Sequence, residues 1–392
     1  MFKIQTLNKI SPAGLSLLPY DLYESASEMT NPDAILVRSF NMHDYKISDG
    51  LLAIGRAGAG VNNIPVDECT KKGIVVFNTP GANANAVKEL VLAALFLSSR
   101  NIIGGIQWVK SLGETGEDIS KLVEKGKSNY VGPEVMGKTL GIIVLGAIGR
   151  LVANAAESLG MKVIGFDPYI SVDAAWGLSQ HVQKARGFEH LLSKSDYLSL
   201  HVPLTEDTRG FIDKSKFKMM KEGVRILNFA RGGLVNEGDL IEALDSGRVS
   251  CFVTDFPNEK LIHHGRIIPI PHLGASTPES ETNCAVMAVN QVREYLENGN
   301  IRNSVNFPET EMTRNGGCRL CIVNQNIPKM VGQITTVLAD ENINIEDMLN
   351  RHHDSIAYNI IDVNQDITPE QVEHIKNIKG VIRVRVIPKQ IN

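Results

Sequence analysis

The feature that most constrains this chain is a repeated cadence: a short apolar run, a turn of small residues, then a longer amphipathic stretch. Runs at 34–37, 51–54, 74–77, 140–145, 162–166, 197–200, 224–228 and 251–254 are rich in β-branched residues and almost continuously apolar. A strand covered on both faces needs that composition, because neither side meets water. The cadence predicts an α/β protein with parallel sheets wrapped by helices, and 34 glycines supply its turns.

Two long helical stretches punctuate the series, one over 85–112 and one from Pro278 to Gly299. Because they flank a single group of strands, they predict a chain that leaves its first domain and later returns to it. A length of 392 residues allows two or three domains at roughly 100–200 residues each. The polar stretch 306–317 reads as a linker. Beyond it the pattern is strand 319–324, helix 330–341, strand 345–352, strand 355–363, helix 368–378 and strand 382–387. That βαββαβ order predicts a ferredoxin-like module. The expected division is 1–98 with 281–310, then 99–280, then 317–392.

Composition removes several classes of function. Forty basic against 44 acidic residues leave a net charge of −4 with both signs scattered, which is no footprint for nucleic acid. No apolar run approaches the roughly 18 residues a membrane span requires, and the start, MFKIQTLNKISPAG, lacks the charged and apolar regions of a secretory signal. No membrane partner is therefore expected. Five cysteines (Cys69, Cys251, Cys284, Cys318, Cys321) are too few and scattered for a disulfide scaffold, so a reducing, cytoplasmic setting is expected. Cys318 and Cys321 form a CxxC without a second ligand pair, so no metal site is expected.

The segment Gly137-Lys-Thr-Leu-Gly-Ile-Ile-Val-Leu-Gly146-Ala-Ile-Gly149 runs from a strand through a small-residue turn into a helix. Such a turn brings backbone N–H groups and a helix N-terminus to a pyrophosphate. Val144 stands where the usual fingerprint has its first glycine. Asp167 lies 18 residues past Gly149 at the end of the strand 162–166, near the spacing of roughly 20 for an acid that binds a ribose diol. A carboxylate there repels a 2′-phosphate, which selects NAD over NADP.

Three strand ends carry further chemistry. Arg231 follows the strand 224–228, Asp255-Phe-Pro-Asn-Glu259 follows the strand 251–254, and His272 lies in Pro269-Ile-Pro-His-Leu-Gly-Ala-Ser-Thr277. Ligands bind at strand ends in open α/β sheets. Removing a hydride from an alcohol carbon requires a base for the hydroxyl proton, a role for His272. A carboxylate, Glu259, would orient the ring, and Arg231 would hold an α-carboxylate and polarise the carbonyl oxygen.

With these segments the chain resembles the D-isomer-specific 2-hydroxyacid dehydrogenases over residues 1–310. The matching stretches are Gly55-Arg-Ala-Gly-Ala-Gly-Val-Asn-Asn63, Gly73-Ile-Val-Val-Phe-Asn-Thr-Pro-Gly81, Gly137-Lys-Thr-Leu-Gly141, His201-Val-Pro-Leu-Thr205, Asn228-Phe-Ala-Arg-Gly-Gly233 and Pro271-His-Leu-Gly-Ala-Ser-Thr277. The resemblance implies a flavodoxin-like substrate domain and a Rossmann NAD-binding domain, with Arg231, Glu259 and His272 as the catalytic set. It also implies cofactor contacts from Gly146, Ala147, Ile148, Asp167, His201, Val202, Pro203, Thr205, Ala230, Asp255 and Gly274. The family usually has Asp-Val before the Phe of the segment leading to its catalytic Glu, whereas this chain has Thr254-Asp255. The contact expected from that Asp to the nicotinamide amide therefore passes to Asp255 or is lost.

Arg38 and Arg56 each end or follow a strand, and two guanidinium groups suit a phosphate dianion. With Gly58, Ala59, Gly60 and Asn78 they form the expected substrate site, and the implied substrate is 3-phospho-D-glycerate. Other D-2-hydroxy acids, such as those of glyoxylate or hydroxypyruvate reductases, are the alternative, and a non-catalytic NAD-sensing protein is a remote one. The last module resembles ACT domains, which bind amino acids between subunits. This implies L-serine as effector, with Asn324, Asn326 and Asn344 as its contacts, and a homodimer or homotetramer.

Overall fold

In the computed structural model, which describes residues 1–114, 118–315 and 317–389, the backbone forms two compact units. One comprises residues 1–83 together with those from 278 onward, the other residues 84–277.

The first unit contains a parallel sheet of β1 (Phe2–Leu7), β2 (Tyr23–Ala26), β3 (Ala34–Val37), β4 (Ala53–Arg56) and β5 (Val75–Phe77). Its order is β2-β1-β3-β4-β5, with every pairing parallel, the flavodoxin-type arrangement. Strand alternation divides the apolar side chains between two faces. Ile4, Ala34, Leu36 and Val75 pack with Ala288, Val289 and Val292 of the helix Pro278–Asn298. Leu7, Ile35, Val37, Ile54 and Val76 form the core on the other face.

The second unit is a seven-stranded sheet of β6 (Thr139–Ile143), β7 (Lys162–Phe166), β8 (Gln183–Lys184), β9 (Tyr197–Leu200), β10 (Val224–Asn228), β11 (Val249–Thr254) and β12 (Ile267–Pro269). The order β12-β11-β10-β9-β6-β7-β8 and uniformly parallel pairing make it a Rossmann sheet extended by one strand. The winding direction reverses between β6 and β9, so their carboxyl ends open a crevice. The helix expected over 85–112 is two helices, Ala84–Ser99 and Ile102–Ser111, that meet at 65°. Asn101 breaks it: its side chain caps the second helix by accepting from Gly104 N at 3.1 Å, a local bond that competes with helix continuation.

The first unit also holds an antiparallel sheet of β13 (Cys318–Gln325), β14 (Ile345–His353), β15 (Ile356–Val363) and β16 (Val381–Ile387), ordered β14-β15-β13-β16. This is the ferredoxin-like ACT fold. Leu320, Ile322, Ile361 and Val363 pack with Ile334, Leu338 and Ile375 of its two helices. The opposite face, through Cys321, Val323, Tyr358 and Ile360, joins the core that holds Val292 and Tyr295. Cys318 and Cys321 thus fall in different cores, both as free buried thiols.

Polar bonds seal that joint. Arg319, fully buried, grips Asp362 with two bonds of 2.6 and 2.8 Å and donates to the carbonyls of Asn298, Met312 and Thr313. Every guanidinium nitrogen is used, the condition under which a buried ion pair is tolerated. Tyr358 donates to Gly299 O at 2.7 Å, and Arg383 donates to the carbonyls of Asp49 and Leu51. Residues 306–315 are accordingly no free tether, and residue 316 of that stretch lies outside the described residues. Asn306 Nδ2 donates to Ile74 O at 2.9 Å while its Oδ1 accepts from Val76 N at 2.9 Å, and Phe307 and Thr310 are buried. Polar composition served here to cap a sheet edge.

Candidate active site

The turn after β6 keeps the shape a glycine would give it. Val144 has φ +72°, a left-handed conformation that is a genuine outlier for a β-branched residue. Gly149 explains the tightness, since a Cβ there would lie 2.1 Å from Val144 O. At Gly146 a Cβ would meet nothing within 4 Å, so the N-terminus of the helix Ala147–Ser158 is open to an incoming group. Asp167 accepts from Leu145 N and Tyr169 N, both at 2.9 Å, one on each oxygen. Each oxygen keeps a lone pair for a diol. Open turn, helix terminus and strand-end acid fit a dinucleotide, with Ala147 and Ile148 in the helix's first turn.

Across the crevice, β9 leads into His201-Val202-Pro203. His201 Nε2 bonds Ser199 Oγ at 2.9 Å, while Nδ1 is shielded and without a partner. Burial pulls the imidazole pKa down to about 4, so the ring is neutral at pH 7. The following loop is pinned by Thr208, whose Oγ1 accepts from Thr205 N and donates to Pro203 O, both at 2.7 Å.

On the adjacent strands, Asn228 of β10, Thr254 of β11 and Pro269 of β12 stand level. Arg231, Asp255 and His272 follow that line within three residues. Arg231 is exposed and donates to Ala230 O at 2.7 Å, and Asn228 steadies the turn through Arg231 O at 2.9 Å. His272 is exposed, with its ring 4.7 Å from that of Phe256. Asp255 is 2% exposed, and Oδ1 has no partner. Its burial raises the carboxyl pKa, opposed by the charge of His272, the Gly274 amide and the charge of Arg231. Glu259 is exposed.

In the first unit, Arg38 and Arg56 stand at the ends of β3 and β4. Arg56 Nε donates to Arg38 O at 3.2 Å, and its guanidinium lies across Gly58, where a Cβ would be 1.6 Å from Nη1. Asn78 Nδ2 donates to Ala59 O at 2.7 Å, tying the Gly58–Gly60 turn to the end of β5. Arg38 meets Glu281 at 2.7 Å, a partner from the distant helix that no local pattern signals. Thr79, wholly buried with Oγ1 unpartnered, was likewise hidden in the sequence, where it reads as one more turn residue. Lys88 belongs to the second unit and donates to Asn85 Oδ1 at 2.7 Å.

In the ACT sheet, Asn324 is buried and its Oδ1 accepts from Asn359 at 2.7 Å, while Asn359 accepts from Asn350 at 2.6 Å. Asn326 Nδ2 donates to Asp354 O at 3.0 Å. Asn324 pairs with Ala357, whereas Ile345, next to the exposed Asn344, pairs with Val363 at the other end of β15. The three asparagines therefore do not meet within one chain.

Residues 92–274 match the model of the D-isomer specific 2-hydroxyacid dehydrogenase NAD binding domain. The chain is 34% identical over 326 residues to D-3-phosphoglycerate dehydrogenase of Bacillus subtilis, covering 79% of this chain and 59% of that protein. It thus spans about three fifths of that relative's length. Among solved structures it is similar to a glyoxylate reductase from Paecilomyes thermophila (26% identity, TM-score 0.63, 78% of this chain and 98% of that one). It is also similar to an NAD-bound 3-phosphoglycerate dehydrogenase of Entamoeba histolytica (26% identity, TM-score 0.58, again 78% and 98%). The family match begins inside the helix Ala84–Ser99 and ends at Gly274, taking in the whole seven-stranded sheet; this part of the chain is a D-isomer specific 2-hydroxyacid dehydrogenase NAD binding domain.

Proposed function

We propose that the chain oxidises 3-phospho-D-glycerate to 3-phosphooxypyruvate with NAD, the first step of phosphorylated L-serine biosynthesis. The observation that carries the dehydrogenase reading is the placement of Arg231 and His272 at one carboxyl edge of the sheet that also bears the dinucleotide turn. Bound NAD supplies the hydride acceptor. His272 takes the hydroxyl proton, and Arg231 holds the α-carboxylate with its planar fork. Neutral His201 adds a polar contact without a charge that would oppose the cationic nicotinamide. Arg38, Arg56 and the Gly58–Gly60 turn, steadied by Asn78, hold the phosphate end. Similarity to the Bacillus subtilis relative supports this substrate.

A second reading, a glyoxylate or hydroxypyruvate reductase, is favoured by one observation. Arg38 already faces Glu281, which reduces the charge left for a dianion. NADH fluorescence separates the readings: 3-phospho-D-glycerate with NAD should give NADH. If only glyoxylate or hydroxypyruvate consumes NADH and the phosphorylated acid is inert, the first reading is wrong. Repeating the assay with L-serine tests the ACT sheet, whose effector would bind between two copies because Asn324 and Asn344 lie apart within one. Pairing of two chains is supported by the helix Ile102–Ser111, which buries no residue and exposes Ile103, Ile106 and Val109. Ile106→Asp should lower the mass seen in light scattering.

A further inference from the structure

Beside the core of Ile35, Met42 and Ile47 in the first unit lies a cavity of about 260 Å³. That exceeds the roughly 150 Å³ that admits benzene to an engineered apolar core. Its walls come from the loop between β2 and β3, from β3 itself and from the segment between β3 and β4. Met29 and the buried Pro32 and Ile35 give it apolar surface. Asn31, Lys46 and Ser48 supply polar groups. Among the described residues, these three side chains make no hydrogen bond or ion pair, and Ser48 Oγ is shielded from solvent. Tyr45, the remaining wall, donates to Gln5 Oε1 at 2.7 Å, and Gln5 Nε2 donates to Ser27 O at 3.1 Å. One residue of β1 thus ties down both loops, so the cavity is formed in advance of any occupant, as small-molecule sites usually are.

The cavity shares no residue with the expected substrate groups. Asn31 and Pro32 precede β3 and Arg38 follows it, with about 10 Å of strand between Ile35 and Arg38 at roughly 3.3 Å per residue. The lining residues include one cation, Lys46, and no carboxylate, so an occupant gains by carrying one negative charge. The apolar walls call for a hydrocarbon body, and a shielded hydroxyl without a partner calls for an oxygen to bond. We propose that this cavity binds a small monocarboxylic acid with an apolar body. Its carboxylate would face Lys46 and Ser48, and its body would lie against Met29, Pro32 and Ile35. The site does not depend on the dehydrogenase reading.

The test uses phenylacetate as the probe, with the full chain at neutral pH. Calorimetry should show one phenylacetate bound per chain with Kd below about 1 mM. The Met29 methyl resonance, identified among the eleven methionines by its loss in Met29→Leu, should shift as the probe is added. Lys46→Gln and Ser48→Ala should each weaken binding about fivefold, as for one exposed ion pair and one hydrogen bond. Phenylacetamide, the same body without the charge, should also bind about fivefold more weakly. Arg56→Ala, at the substrate edge, should leave the affinity within about twofold. No saturable binding up to about 10 mM phenylacetate overturns the proposal. So does equal binding of phenylacetamide, or an unmoved Met29 methyl. A loss in Arg56→Ala with none in Lys46→Gln or Ser48→Ala would put the acid at the carboxyl ends of β3 and β4, and overturns it as well.

Discussion

The two parallel sheets end in opposite chemical conditions. At the ends of β3, β4 and β5 the charged and amide side chains already have partners: Arg38 has Glu281, Arg56 has Arg38 O, and Asn78 has Ala59 O. At the ends of β6, β9 and β11 the chain holds a strained Val144, an unpartnered His201 Nδ1 and an unpartnered Asp255 Oδ1. Buried polar groups are normally satisfied, so a cluster of exceptions marks where the second sheet is completed by what it binds. At the first sheet's edge the charged groups are organised before a ligand arrives, and Thr79 Oγ1 is the unpartnered exception. The lesson is that at the second sheet's edge strain and unmet polar groups gather beside the dinucleotide turn, whereas the first sheet's edge is marked by charge.

Breaking the second sheet's edge at its reacting group should have the largest effect. His272→Asn is expected to lower kcat by about 10²–10⁴-fold, the usual worth of a general base, with NADH binding by fluorescence preserved; a loss under tenfold would remove His272 from the chemistry. Next comes His201. Its folded pKa of about 4 lies below the ordinary value of 6.5, so the unfolded chain binds the extra proton and stability falls as pH drops through that interval. The full difference is worth about 3 kcal/mol. Urea midpoints of wild type should therefore decline more steeply between pH 6.5 and 4 than those of His201→Gln, and parallel curves would contradict the neutral, shielded ring.

The first sheet offers a smaller and more selective effect. Arg56→Ala should raise KM for 3-phospho-D-glycerate by about 10–100-fold, as for loss of a charged hydrogen bond worth about 1.5–3 kcal/mol, while leaving a phosphate-free 2-keto acid almost unaffected. Equal losses on both substrates would detach these arginines from phosphate recognition. Smallest is Val144→Gly, which removes left-handed strain of about 1–3 kcal/mol but adds unfolded-state freedom that costs about 0.4–1 kcal/mol. A net gain of about 1 kcal/mol in thermal or urea unfolding is expected. A less stable variant would mean that Val144 packing against the core outweighs its backbone.

Local patterns carried much of this architecture. Apolar runs located the central strands because burial on both faces leaves them no polar positions, and Asp167 was visible from its distance to Gly149. The break at Asn101 was missed because apolar composition continues across it in Ile102 and Ile103, while one side-chain cap decides the bend. Residues 306–315 misled for a related reason, since Asn and Pro suit both a tether and an edge cap. Glu281 and Thr79 were invisible because their significance depends on partners brought together only by the tertiary fold. Both carboxylates after β11, Asp255 and Glu259, were visible in the sequence, but only the fold shows that the first is buried and the second exposed.

The shared core of the first sheet and the ACT sheet bears on how the chain is made. Residues 84–277 are contiguous, so on a ribosome that unit has all its strands once residue 277 has emerged. The other unit needs β1 and β16, at Val381–Ile387, in one hydrophobic cluster that contains both Ile4 and Ile387. Contacts of such sequence separation form slowly because loop closure comes before their reward. The strands made first must therefore wait, with their apolar face open, until β16 has been made. This is the interval in which a chaperone has most to protect.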